Sequence, residues 1–208
     1  MKKLKIVGNQ RGGVGVMIIY IISMLLSVLV MARCLDYIQM YKTQNRLKNK
    51  LNVAVHAGSL SIDEVQLSQG NFKLDISTPG TRVQDMFYKY LRMNMRLDNS
   101  NVALPGSPLK EGSVVNIDEL LYVDYEAGTI TNLNTKPTSC TYSSAASRVT
   151  CSVTLNPSSP LQVTRTVNET IVGPSLVAIV DSVHEGIGSI MNEPLLIPAV
   201  QEVYFNIN

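Results

Sequence analysis

"RGGVGVMIIYIISMLLSVLVMAR", Arg11 to Arg33, holds no acidic or amide side chain between its two arginines. Its apolar part, Val14 to Ala32, is 19 residues long, interrupted only by the weakly polar Tyr20, Ser23 and Ser27. A helix of that length rises roughly 28 Å, close to the ~30 Å hydrocarbon core of a bilayer. A cleavable signal peptide has an apolar region of only about 7–15 residues, so the length favours an anchor that stays attached. Cleavage after Ala32 is the alternative. Cys34 follows Arg33 rather than a small residue, which excludes a lipoprotein signal. Lys2, Lys3, Lys5 and Arg11 precede the segment, and basic flanks stay in the cytoplasm. The expectation is a single-pass membrane protein: residues 1–13 a cytoplasmic tail, 14–32 the transmembrane helix, 34–208 extracellular, with the lipid bilayer as first partner.

Charge supports that division. The net +2 conceals five basic and no acidic residues in 1–33, against 13 basic and 16 acidic in 34–208. A mildly acidic body argues against a nucleic-acid partner. Beyond the membrane, Leu35, Ile38, Tyr41, Leu47, Leu51, Val55, Gly58 and Ile62 recur at spacings of mostly three or four. That is an amphipathic helix, and no proline interrupts Val14 to Val65, so the helix is expected to continue outside the membrane over 33–66. Ala54, Ala57 and Gly58 make a smooth patch beside Leu47, Leu51 and Val55. This face has two candidate partners: the chain's own sheet, or a neighbouring subunit.

The order of these features resembles the N-terminus of TadE/TadG-like proteins, the minor pilin-like (pseudopilin) components of the bacterial tight-adherence (Tad, or Flp) pilus. Arg11 and Gly12 match the family's Arg-Gly before a long apolar helix. Leu47, Ala54, Ala57 and Gly58 match its Leu- and Ala/Gly-bearing second stretch, and "VQDMFYKYLRMNMRL" resembles the helix that follows. The resemblance covers about residues 11–97. It implies a membrane-anchored assembly subunit whose partners are other pilus or secretion subunits, or further copies of itself, and it makes Gly12 or Gly13 the processing position. Processed pseudopilins carry Glu five residues after the cut. Here that position is Met17, Ile18 or Tyr20 for cuts after Gly12, Gly13 or Gly15. The departure favours a retained anchor.

Residues 67–208 read as an α+β domain. "QGN" at 69–71 signals a turn before an alternating run, Phe72, Leu74 and Ile76. Pro79-Gly80 breaks the chain, and Thr81–Leu97 has the apolar spacing of a second helix. From Val114 onward the texture is Val-, Ile- and Thr-rich, with a hairpin signal at Ala127-Gly128, and predicts an antiparallel sheet of about four to six strands. Cys140 and Cys151 flank a short polar stretch. In an oxidising compartment they would staple a hairpin, and elsewhere they would be free thiols.

Chemistry is sparse. There is no phosphate-binding loop, Gly-x-Ser-x-Gly, His-Glu-x-x-His or paired Cys-x-x-Cys. His56 and His184 have no accompanying ligand cluster, so no metal and no cofactor is expected. Asp181, Ser182, His184 and Ser189 are close only along the chain, and a triad is made by geometry. "DNSN" at 98–101 lacks the glycine and terminal glutamate of a calcium loop. Two functions follow as expectations: a non-enzymatic, pilin-like accessory component assembling through its N-terminal helix, or an anchored binding module for a surface ligand or wall polymer.

Overall fold

The structure is a computed structural model of the 208-residue chain; it describes residues 10–71, 73–76, 82–155, 162–186 and 192–203. The chain divides into two compact units, Met1–Tyr41 and Lys42–Asn208.

A long helix, α1, spans Gln10–Ser59. In the first unit its side chains from Val14 to Met31 are all exposed. In the second unit the same helix buries Leu47, Leu51, Ala54, Val55 and Gly58, one stripe at spacings of three and four. It closes near the expected break: Ser59 Oγ donates to the His56 carbonyl at 2.8 Å, and the Ser61 amide to that of Gly58 at 3.0 Å. A one-turn helix, α2 (Glu64–Ser68), follows. Asp63 caps it by accepting from the amides of Val65 and Gln66 at 2.9 and 3.1 Å. The alternating run after it does not make a strand. Leu74 is buried and forms only an isolated bridge with Ile62, and Phe72 lies outside the described residues. The second long helix of this unit, α3 (Arg82–Met95), buries Val83, Phe87, Leu91 and Met95, a strict i, i+4 stripe.

The strands are β1 (Asn116–Asp124), β2 (Thr129–Asn132), β3 (Cys140–Ser143), β4 (Arg148–Leu155), β5 (Val163–Thr170), β6 (Ser175–Glu185) and β7 (Asn192–Glu202). They form two sheets among the described residues, ordered β2-β1-β6-β7 and β3-β4-β5, with every pair antiparallel. The sequence suggested one sheet of four to six strands, and the reason for the difference is burial. β6 is buried at nearly every position, so its sheet is covered on both faces. β4 buries only alternate residues, Val149, Cys151, Val153 and Leu155, so its sheet is covered on one.

The layers follow from side-chain parity. Leu121, Val123, Val177 and Ile179 project to one side and share a core cluster with β4, Val167 and Ile171. Leu120, Tyr122, Leu176, Ala178 and Val180 project to the other and are buried as well. There they meet the helices: a Cβ added at Gly58 would lie 2.7 Å from Leu176 Cδ2 and 3.5 Å from Phe87 Cβ. The second unit is therefore helices, a four-stranded sheet and a three-stranded sheet in three layers, an α+β fold. β7, at the edge of the larger sheet, contains Pro194 and Pro198, paired with Val183 and Ile179.

Candidate functional site: an uncovered apolar helix and its buried continuation

From Val14 to Met31 the large apolar side chains of α1 are exposed to between 48% and 70%, and none of the described residues covers them. In water such a surface is unfavourable. At about 25 cal/mol per Å² of apolar area, each uncovered Leu or Ile forgoes roughly 1.5–3 kcal/mol. The helix is long and apolar enough to cross a membrane. Its polar atoms are consistent with that, since Ser27 Oγ donates to the Ser23 carbonyl one turn back, at 2.9 Å, and carries no unmet donor into an apolar surrounding. Ile19, Ile22, Leu26 and Val30 border a shallow groove over these two serines. Gly12 and Gly13 lie within the first turns of α1.

The six residues read as an assembly face are placed differently from that reading. Leu47, Leu51, Ala54 and Val55 are 0–1% exposed, Ala57 is 7% exposed and Gly58 is buried. Gly58 sits against Leu176 of β6 and Val83 and Phe87 of α3, because a residue without a side chain lets those elements approach closely. Of the two candidate partners, the chain's own sheet occupies the face.

Cys140 and Cys151 are bonded. They are directly opposed across β3 and β4 with Cα atoms 4.0 Å apart. The Ser152 amide donates to the Ser139 carbonyl, which makes the cysteines a non-hydrogen-bonded pair, the position where side chains approach most closely. Both sulfurs sit in the core between the sheets. Cys34 is free and exposed.

The remaining sequence candidates do not converge. His56 is exposed on α1, and His184 is buried on β6. Among the described residues no three His, Cys, Asp or Glu side chains are grouped to hold a metal. Ser182 Oγ donates to the Val114 carbonyl at 3.0 Å, and Ser189 lies outside the described residues. Asp98 Oδ1 accepts from the amides of Ser100 and Val102, both at 2.8 Å, so the "DNSN" carboxylate closes a turn.

One polar cluster escaped the sequence reading. A bulge between Ile117 and Glu119 leaves Asp118 as the extra residue of β1. Glu119 is 3% exposed, and its Oε1 accepts from Ser139 N and Oγ, each at 2.7 Å. Asn134 Nδ2 donates to the Ile117 and Asp118 carbonyls at 2.9 and 3.3 Å. Together they pin the β2–β3 connection, which passes from one sheet to the other, onto the bulge. Asp118 lies against Asp181 of β6, itself accepting from Asn116 Nδ2 at 3.2 Å. Burial first, then the charge of Asp181 and a hydrogen bond with it, push the Asp118 carboxyl up to about 7; Lys136, with Nζ 4.0 Å away, opposes and Glu119 adds to the rise. Asp118 Oδ2 has no donor around it among the described residues, which fits a carboxyl whose charged form is disfavoured there. No sequence signal marks the bulge that creates this pair. Compared with family models, curated proteins and solved structures, the chain matches none of them.

Proposed function

We propose that the protein is a membrane-anchored, non-enzymatic, pilin-like accessory subunit of a Tad-type pilus or related secretion apparatus, assembling through the apolar half of α1. One observation carries this reading. A single helix is wholly uncovered over Val14–Met31 and, from Leu47 onward, is a structural member of a folded domain's core. Such a helix carries both a membrane-embedded contact and part of a folded domain's core in one element. The disulfide supports placing the domain in an oxidising exterior. Basic residues alone do not orient the chain, since Lys2, Lys3, Lys5 and Arg11 precede the segment while Arg33, Lys42, Arg46, Lys48 and Lys50 follow it.

The test replaces Val14–Ala32 with a Leu/Ala segment of equal length and extracts both proteins in mild detergent. The native chain is expected in higher-order complexes and the replaced chain as a membrane-bound monomer. A monomeric native chain, or complexes that survive the replacement, overturns the reading. N-terminal sequencing of the extracted protein adds a second check: a start at Arg33 would show that the anchor is removed.

A further inference from the structure

The bulge of β1 gives Asp118 two partners of opposite charge. One is Asp181 of β6, with which its carboxyl forms a hydrogen bond. Asp181 is 8% exposed and also accepts from Asn116 Nδ2 at 3.2 Å. The other is Lys136 of the β2–β3 connection, whose Nζ lies 4.0 Å from Asp118 Oδ1. Glu119, the next residue of the same strand, completes the charged groups acting on Asp118.

The two contacts suit different forms of the carboxyl. Two carboxyl groups can hydrogen-bond only while one of them carries a proton, because an ionised carboxylate has acceptors alone. Ionisation of Asp118 ends that bond and sets like charges side by side. It also favours Lys136, whose present distance exceeds the about 2.7–2.9 Å of a closed charge-assisted bond. Closing that gap requires little of the backbone. The Lys136 carbonyl accepts from Asn132 Nδ2 at 2.6 Å, and Asn134 Nδ2 donates to the Ile117 and Asp118 carbonyls at 2.9 and 3.3 Å. The far end of the connection is held separately, by Ser139 on Glu119 Oε1. The Lys136 side chain itself is 58% exposed, so it can turn toward Asp118 while its main chain stays in place.

We propose that Asp118 is a proton-operated switch between two ties: protonated, it joins the β1 bulge to β6 through Asp181, and ionised, it joins the bulge to the β2–β3 connection through Lys136. The exchange falls near neutrality because burial, then the charge of Asp181 and the bond with it, outweigh Lys136 and push the carboxyl up to about 7. The connection runs from one sheet to the other, so the proton decides whether the bulge is tied within the larger sheet or to the segment leaving it. The switch is independent of assembly through the apolar segment, and either can fail while the other stands.

Acylation of lysines in the full chain in mild detergent, read by peptide mass spectrometry, tests this. The Lys136 rate is divided by that of Lys48, an exposed lysine of α1, which cancels the rise in amine reactivity common to both. Between about pH 6 and about pH 8.5, on either side of the Asp118 midpoint, the ratio should fall about two- to fivefold, the protection that a partly exposed ion pair provides. Asp118→Asn cannot ionise, and its ratio should not change. In Asp181→Asn the carboxyl has lost its like-charged neighbour, so the ratio should already be low at about pH 6. Lys136→Gln alters only an exposed side chain, and the Asp118 midpoint, followed by the carboxyl carbon resonance, should move up in it. The switch is overturned if the native ratio does not fall, if Asp118→Asn falls as the native chain does, if Asp181→Asn keeps the native profile, or if Lys136→Gln leaves the midpoint where it was.

Discussion

Asp118 sets the clearest expectation at the scale of one residue. Its carboxyl is raised from 3.8 to about 7 in the folded chain. The stability it contributes is fully present below pH ~4 and is lost as pH rises through about 7, because the folded state then has to hold two adjacent carboxylates. Asn in its place mimics the protonated form. Asp118→Asn should melt close to the native chain at pH 4–5 and about 4–8 °C above it at pH 8, corresponding to roughly 2 kcal/mol in a domain of this size. A difference that does not change with pH would show that the Asp118 carboxyl is not raised in the folded chain. Asp124 acts in the opposite direction: burial raises its pKa, but the Ala127 amide and Lys73 outweigh that and hold it low. The comparison therefore has to be between variant and native chain at each pH. Ala54 supplies a second expectation. It is fully buried where α1 meets its own sheet, so Ala54→Leu overpacks the domain by about 1–3 kcal/mol and lowers melting of the full chain in detergent by roughly 3–10 °C. Unchanged melting together with weakened co-purification of partner subunits would return the face to an intermolecular role.

Among the elements, periodicity made the helices legible and left the sheets partly hidden. The 3.6-residue spacing from Leu47 to Gly58 and from Val83 to Met95 survives in the structure because each stripe packs on one flat surface. "LVAIV", Leu176 to Val180, reads as apolar without interruption, yet nothing in it says what covers its two faces, and that ambiguity separates one sheet from two. The partner of the small-residue patch was open for the same reason: composition shows that something approaches closely, not what approaches. The cysteines were legible as a pair. Their opposition across β3 and β4 depends on a register fixed by the Ser144–Ser147 turn, where Ser147 has φ 46°. Because both sulfurs are buried, the bond should resist mild reductant in the folded chain. Replacing both cysteines with Ala should cost about 2–4 kcal/mol, measured as a fall in the denaturation midpoint. Native-like stability of that variant would mean that the sheet registers without its covalent tie.

At the scale of the whole molecule, the sequence showed the division into an apolar helix and a polar body, but not that α1 and α3 lie side by side. Each edge of the two sheets is also guarded in a different way. β2 and β3 are only four residues long. β5 carries Arg165 and Glu169 on the side that faces the core, opposite Val153 and Val149. β7, the longest edge, has prolines at 194 and 198, four apart and so presenting their donorless nitrogens to the same side, where a docking strand would need amides. A protein held in a membrane, as proposed for this chain, meets its own kind in two dimensions, at local concentrations far above those in solution. There an open strand edge would recruit neighbours without register or limit. With the edges closed, crowding drives these domains together only through side chains, so contacts between them remain reversible and specific to the surfaces that meet.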